Sequence, residues 1–273
     1  MAERRCVFID FDGTFAHRGV APRAHGEAVE RARARGHLIL LCTGRPASIV
    51  APEVAALFDG VVASAGGLIR VGDQLLKDQR FPAELGRRAV EVLLRHEVPF
   101  VLETPDALLC TPRSAEELRA RVRPALPEDG VGGGLQDLLD AIELPEDLAS
   151  ASFAKISLWG SPVRIEQLAA EIGPEVGALP NSIADDASSG ELHLLSVDKA
   201  DGVEEVARHL GMDLTSTVGI GDGMNDLGML RATGTAIAVN GAPAAVLGAA
   251  GGVSVPGPLE HGIVTAFERL GML

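Results

Sequence analysis

Tyrosine is absent from this 273-residue chain, tryptophan occurs once, and aromatic residues make up only 3% of it. Stacking on a nucleobase is therefore not indicated. Lysine is almost as scarce: Lys77, Lys155 and Lys199 stand against 21 arginines. Cysteine appears three times, as Cys6, Cys42 and Cys110, an odd count whose spacing fits no zinc pattern. Cys6 and Cys42 fall inside apolar runs, which predicts buried, inert thiols in a reducing compartment. Positive charge is short as well, with 24 basic residues against 38 acidic ones and a net charge of −14. No stretch concentrates the arginines, so neither nucleic acid nor an anionic membrane is an expected partner. No apolar run reaches the length of a membrane span. The N-terminus, MAERRCVFIDFDGT, enters a strand at once and leaves no room for a signal peptide. A cytoplasmic location is the expectation.

What the chain has is apolar residues, 47% of the total, enough to bury a substantial core. Its length suits a core domain plus an inserted unit. The run CVFI, ending in Asp10, reads as a strand covered on both faces, as in a parallel sheet. Helical spacing follows from about His25 to Arg35, then a second buried strand (HLILLCTGRP), a helix over about 47–58, and a third short strand, GVVASAGG. The last third repeats the rhythm: a helix over about 200–210, the strand TVGIGD, a helix opening near Met224, the strand TAIAVN, a helix from Pro243, the strand GVSV and a final helix ending near Leu270. Both ends of the chain predict one doubly wound, mostly parallel α/β sheet.

The middle differs. FVLET and ALLCT flank Pro105-Asp106, which reads as a hairpin. A helix over 114–123 leads to the loop PEDGVGGG and a helix near 135–142, and FAKISLWG and ELHLLSV read as strands. Antiparallel strands with helices to one side make an α+β unit, placed at residues 83–190 between core segments 1–82 and 191–273. Gly132 to Gly134 precede no Lys-Ser/Thr pair, so they read as a flexible connection and not a phosphate cradle.

Chemistry concentrates at the strand ends. Asp10-Phe11-Asp12-Gly13-Thr14 closes the first strand, where open α/β sheets bind ligands. Two neighbouring carboxylates repel, and burying one costs about several kcal/mol without a compensating cation or proton. Thr43-Gly44-Arg45 closes the second strand, offering a hydroxyl and a backbone N–H. Gly221-Asp222-Gly223-Met224-Asn225-Asp226 closes another strand and opens a helix, with Asp222 placed for a metal. Lys199 precedes a helix in a chain that otherwise favours arginine, which suggests a compact point charge. Together these groups supply what phosphoryl transfer through an aspartyl-phosphate requires: a carboxylate nucleophile, oxygen ligands for a hard cation, groups to hold the transferring oxygens, and a second carboxylate for acid–base work.

In order and placement, DFDGT, TGR, Lys199 and GDGMND resemble the motifs of the haloacid dehalogenase superfamily, Cof-type phosphatase branch. The position of the inserted unit is similar to that of a C2 cap, of the IIB arrangement. The resemblance implies Asp10 as nucleophile and Asp12 as general acid/base, with Mg²⁺ bound through Asp10, the Asp12 carbonyl and Asp222. It implies that Thr43, Gly44, Lys199 and Asn225 bind the phosphoryl group, with Asp226, Gly13 and Thr14 in support. A small phosphorylated metabolite such as a sugar phosphate is the implied substrate, with the cap supplying specificity. Arg45, Lys155 and His193 are candidates for substrate contact. Three departures stand out: Ala65-Gly66-Gly67 where the branch has Asn-Gly, DKADG at the lysine, and AVNGA with Asn and Gly reversed.

A phosphoacceptor signalling module would share the carboxylates, Thr and Lys, but it needs one small domain and carries its acceptor on a middle strand. Dinucleotide binding fails because Met224 stands where G-x-G-x-x-G needs its last glycine. A phosphomutase of the same superfamily shares every motif and remains an alternative. Nothing in the sequence specifies an oligomeric state.

Overall fold

A computed structural model describes residues 4–122, 130–180 and 188–273. The larger sheet begins with β1 (Cys6–Ile9), followed by helix α1 (Arg23–Ala34) and β2 (Leu38–Cys42). A short helix α2 (Pro52–Ala55) leads to β3 (Gly60–Ala63) and a hairpin of β4 (Leu68–Val71) and β5 (Gln74–Asp78). The chain then leaves this sheet. Helix α3 (Ala83–Arg95), β6 (Phe100–Glu103), β7 (Leu108–Cys110), α4 (Pro112–Arg121), α5 (Gln136–Asp140) and β8 (Ile142–Glu143) follow, then β9 (Lys155–Leu158), α6 (Ile165–Ile172), β10 (Val176–Pro180) and β11 (Gly190–Leu194). It returns through α7 (Lys199–Leu210), β12 (Thr217–Gly221), α8 (Leu227–Ala232), β13 (Thr235–Val239), α9 (Ala244–Ala249), β14 (Ser254–Val255) and α10 (Gly262–Arg269).

The larger sheet has the order β14-β13-β12-β1-β2-β3-β4-β5, with β14 through β3 parallel and the β4–β5 hairpin antiparallel at one edge. All four residues of β1 are buried because both faces are covered. Val7 and Ile9 pack with Ala28, Val29 and Ala32 of α1 and Ile263 and Phe267 of α10. Cys6 and Phe8 face the other way, onto Val203 and Val206 of α7 and Met229 and Leu230 of α8. Period-two alternation thus feeds two cores from one strand. The cysteines are free and buried; burial pushes the Cys6 thiol up to about 12, and the Cys42 and Cys110 thiols upward as well. None of the three is a reactive thiolate near neutrality.

The inserted α+β unit builds a second sheet, β10-β11-β9-β6-β7-β8, antiparallel except for the β7–β8 pair. One face carries Phe100, Leu102, Ile156, Leu158 and Leu192, which pack with Leu85, Ala89 and Leu93 of α3 and Ile165, Leu168 and Ile172 of α6. The other face carries a polar patch, with Glu103, Lys155 and His193 in register and Ser157 and Glu191 in the next row, beside which Val101, Leu108 and Cys110 pack with Leu118 and Trp159. The expected boundary at 190 cuts into this unit, because β11 belongs wholly to its sheet.

Three other expectations change. The helix expected over 47–58 is interrupted: a 3-10 turn at Ala47–Ile49 gives way to extended Val50 before α2. Pro52 is the cause, since it disfavours helical geometry at Ala51 and lacks an N–H. The helix expected near 135–142 stops at Asp140, and Ile142 pairs with Leu108 as β8. Gly132 to Gly134 do not hang free, because Val131 forms a bridge with Ala21 through backbone hydrogen bonds of 2.8 and 2.9 Å. The expected helix end at Arg123 and loop residues 127–129 lie outside the described residues.

Candidate active site

Three parallel strands, β12, β1 and β2, end side by side, and each delivers one motif to the same edge. Asp10 follows β1 directly, its backbone N–H donating to Ile220 O of β12 at 2.9 Å. The chain then turns, with Phe15 N–H donating to Asp10 O and Ala16 N–H to Phe11 O. Gly13 sits at φ +93°, and a Cβ there would overlap the Asp222 carboxylate. Only glycine lets that carboxylate lie against the turn. Thr14 Oγ1 donates to Asp222 Oδ1 at 2.8 Å, joining the first motif to the fourth.

Lys199 is the first residue of α7, fixed by a capping box between Asp198 and Asp201. Its side chain runs inward without exposure and ends between two carboxylates, 2.6 Å from Asp10 Oδ1 and 2.5 Å from Asp226 Oδ1. Asp226 Oδ2 in turn accepts from the backbone N–H groups of Asp222 (3.0 Å) and Gly223 (2.9 Å). Every oxygen of this buried acid is therefore satisfied. Burial pushes the Asp10 carboxyl well above its ordinary range, reinforced by Asp226 and opposed by Lys199. Burial works against charge on Lys199 too, but Asp10 and Asp226 outweigh it and hold the ammonium protonated. Burial likewise raises Asp222, against the hydrogen bond from Thr14.

Carboxylate oxygens of Asp10, Asp222 and Asp226 all lie within 4.8 Å of one another. Three acids share one hydrogen-bonded ammonium, so the cluster carries surplus negative charge on hard oxygen donors. That donor set fits Mg²⁺, which takes carboxylate and carbonyl oxygen and keeps several waters. The acid cluster takes in Asp226, expected only as a supporting residue, and not the side chain of Asp12.

Asp12 points outward, its side chain 48% exposed. Arg45 grips it bidentately, with Nε donating to Oδ2 at 2.5 Å and Nη2 to Oδ1 at 2.7 Å. The guanidinium also lies over the Phe11 ring, 4.8 Å from its centroid, and Nη1 donates to Ile49 O. Thr43 is buried, and its Oγ1 accepts from Arg45 N–H at 3.0 Å. Asn225 is exposed at the site mouth, and its amide nitrogen lies 3.7 Å from where a Gly44 Cβ would stand. Gly44 O accepts from Lys155 Nζ at 2.7 Å, so the inserted unit reaches this edge. His193 faces Lys155 across β11 and β9, half-buried, with burial lowering its pKa. Among the candidates for substrate contact, Arg45 and Lys155 are thus already paired with protein groups.

Two residues on this polar face were not singled out from the sequence, Glu103 and Glu191. Their signal was available in part: Glu191 alternates with Leu192 and Leu194 in ELHLL, whereas Glu103 closes the continuous apolar run FVL and shows no alternation.

The family model of the haloacid dehalogenase-like hydrolases matches residues 7–266. The chain belongs to that family. It is accordingly a hydrolase, and the Cof-type resemblance of its motifs is consistent with its relatives. It is 25% identical to "Putative phosphatase YkrA" of Bacillus subtilis (strain 168), over 99% of both chains. Among solved structures it is similar to the subclass IIB sugar phosphatase BT4131, with TM-score 0.78 and 22% identity over 98% of this chain and 100% of that one. It is similar also to a structure determined in work on a trigonal-bipyramidal intermediate in a phosphoryl-transfer superfamily, with TM-score 0.80 and 21% identity over 99% of this chain and 100% of the other. These two share its core and its inserted α+β unit as a fold. No helix among the described residues is long and apolar enough to cross a membrane.

Proposed function

We propose that the chain is a Mg²⁺-dependent phosphatase that hydrolyses a small phosphomonoester through an aspartyl-phosphate on Asp10. The observation that carries this reading is Lys199, buried at the end of β1 and bonded to both Asp10 and Asp226 beside Asp222. A lysine so placed fixes one oxygen of Asp10 and leaves the other for attack on phosphorus. We assign residues 1–82 and 195–273 to the catalytic core and 83–194, which takes in all of β11, to a cap over it.

Asp10, Asp222 and the Asp12 carbonyl are the groups we assign to Mg²⁺, with Asp226 at hand. When bound, the ion supplies positive charge that offsets the phosphate and the carboxylates. Thr43 and Lys199 hold the transferring oxygens, Gly44 offers its backbone N–H, and Asn225 contacts the phosphate from the mouth. Asp10 attacks and the bond from phosphorus to the leaving oxygen breaks. Asp12, released from Arg45 and entering this step protonated, gives that oxygen its proton. Asp12 then takes a proton from water as the water oxygen attacks phosphorus and the bond to Asp10 breaks. Products are an alcohol, inorganic phosphate and the original carboxylate.

Phosphate release from a panel of phosphomonoesters, with Mg²⁺ and with chelator, tests the proposal. Wild type is expected to turn over at least one ester only when Mg²⁺ is present, and Asp10→Asn to lose about 10³-fold or more. Equal release by Asp10→Asn would place the activity elsewhere, and no release from any ester by wild type would refute hydrolysis.

A further inference from the structure

Lys155 invites assignment as an anion binder, yet its hydrogens are already committed. Besides Gly44 O at 2.7 Å, the ammonium meets Glu191 Oε1 at 2.8 Å and Glu103 Oε2 at 3.3 Å. The Lys155 and Glu103 side chains are buried, whereas that of Glu191 remains 35% exposed. Glu103 Oε1 accepts from Ser157 Oγ at 2.5 Å. Its Oε2 sits within ion-pair range of Lys155 and is buried away from the cleft, so Glu103 acts through Lys155. One cation and two carboxylates give the cap floor a formal charge of −1, with burial raising Glu103 against the pull of Lys155, and Glu191 lies two hydrogen bonds from Gly44. His193, pushed toward its neutral form by burial, adds no compensating charge.

We infer that Glu191, with Glu103 behind it, selects a neutral, hydroxyl-bearing leaving group and rejects one carrying a carboxylate or second phosphate. The inference rests on the phosphatase reading above and assigns the substrate class to that site. Substrate hydroxyl groups donate to Glu191, the accessible carboxylate of the pair, and Lys155 serves as its buried counter-ion. An anionic leaving group would find acceptors only and a like charge in a low-dielectric floor. Neutralising Glu191 as Gln removes the negative charge while its amide oxygen can still accept from Lys155.

The test compares kcat/KM for glycerol 3-phosphate and 3-phosphoglycerate, esters that differ by a hydroxymethyl against a carboxylate, in wild type, Glu191→Gln and Glu191→Asp. Wild type is expected to favour glycerol 3-phosphate by about tenfold or more, as expected for one unit of opposed charge at this range. Glu191→Gln is expected to shrink that ratio at least fivefold, and Glu191→Asp, which keeps the charge, to preserve it. Using a ratio cancels any general loss of folding or turnover. Preference for 3-phosphoglycerate in wild type, or an unchanged ratio in Glu191→Gln, overturns the inference. Mg²⁺-dependent release from p-nitrophenyl phosphate, abolished by Asp10→Asn, is run alongside. If that release holds while the ratios fail, only the specificity assignment falls; if it fails, the phosphatase reading falls with it.

Discussion

Lys199→Met removes the ammonium that hydrogen-bonds Asp10 and Asp226 while keeping a side chain of similar length and volume. Deleting one partner of a buried ion pair costs about 3–5 kcal/mol, because the remaining charge stays buried without compensation. Here two carboxylates remain, and the folded protein responds by holding a proton. Asp10 already lies above its ordinary range through burial and the Asp226 charge, with Lys199 opposing; removing Lys199 raises it further. A carboxyl group with a raised folded pKa binds protons more tightly folded than unfolded, so it favours folding at low pH and that support fades as pH rises. The stability gap between wild type and variant is therefore widest near pH 8 and narrows toward pH 5. Urea and thermal unfolding in chelator measure it. The expected gap at pH 8 is about 3–5 kcal/mol, or roughly 6–20 °C. Adding Asp226→Asn removes the second carboxylate and should restore at least half the lost stability, while phosphate release stays about 10³-fold below wild type. A Lys199→Met protein as stable as wild type, a gap that widens in acid, or activity within tenfold of wild type would refute the reasoning.

Asp222→Asn removes one carboxylate of the acid cluster, and the Mg²⁺ concentration giving half-maximal phosphate release should rise about tenfold or more; an unchanged Mg²⁺ titration would remove Asp222 from the ion's ligands. Gly66 has φ +105°, and a Cβ there would overlap the Asp198 carbonyl oxygen, next to Lys199. Gly66→Ala should lose about 1–3 kcal/mol in urea unfolding and lower kcat with it, since Asp198 seats Lys199; a loss of stability with kcat intact would separate the two. His25 is buried between Phe15 O, to which its Nδ1 bonds at 2.8 Å, and Ile263 N–H, and burial pushes it down to about 4. A depressed histidine supports folding above its unfolded pKa and loses that support as pH falls. Stability should drop by about 3 kcal/mol between pH 7.5 and 4, and His25→Gln should flatten the drop; the same slope in both proteins would refute it.

The strands that carry the motifs were legible because buried parallel strands leave continuous apolar runs, and each run ended in its motif. Asp10, Thr43, Asp222 and Lys199 are brought to one edge by β1, β2, β12 and the first residue of α7, as their sequence contexts implied. What the sequence did not disclose was partnership. Asp12 and Asp10 look equivalent in DFDGT, yet Asp10 is buried on Lys199 and Asp12 exposed on Arg45, because the chain leaves the line of β1 after Asp10 and turns back on itself through Ala16. Strand β10 went unseen since EVGALP has neither alternation nor β-branched density; its place is set by pairing with β11. Lys155 could be put on a strand but not on a face until the register with Glu103 and His193 fixed it.

The interrupted helix after β2 shows why the larger miss mattered. The segment between β2 and the break at Val50 carries five contacts within seven residues. Thr43 is buried at the site, Gly44 O receives Lys155, Arg45 grips Asp12, Ser48 Oγ donates to Thr104 O at 2.9 Å, and Ile49 packs among Leu108, Cys110 and Trp159. Two of these hydrogen bonds cross to the inserted unit. Lifting that unit breaks both of them on the very segment that holds Thr43 and the Arg45 clasp. Both Asp12 oxygens accept from Arg45 in this state, so the acid–base role proposed for Asp12 requires Arg45 to give up at least one of them. Gly19 packs closely on Gly134 of the inserted unit, and a Cβ on Gly19 would lie 3.0 Å from Arg45 Nη2. The position of the inserted unit and the freedom of Asp12 are therefore set by one short stretch of chain.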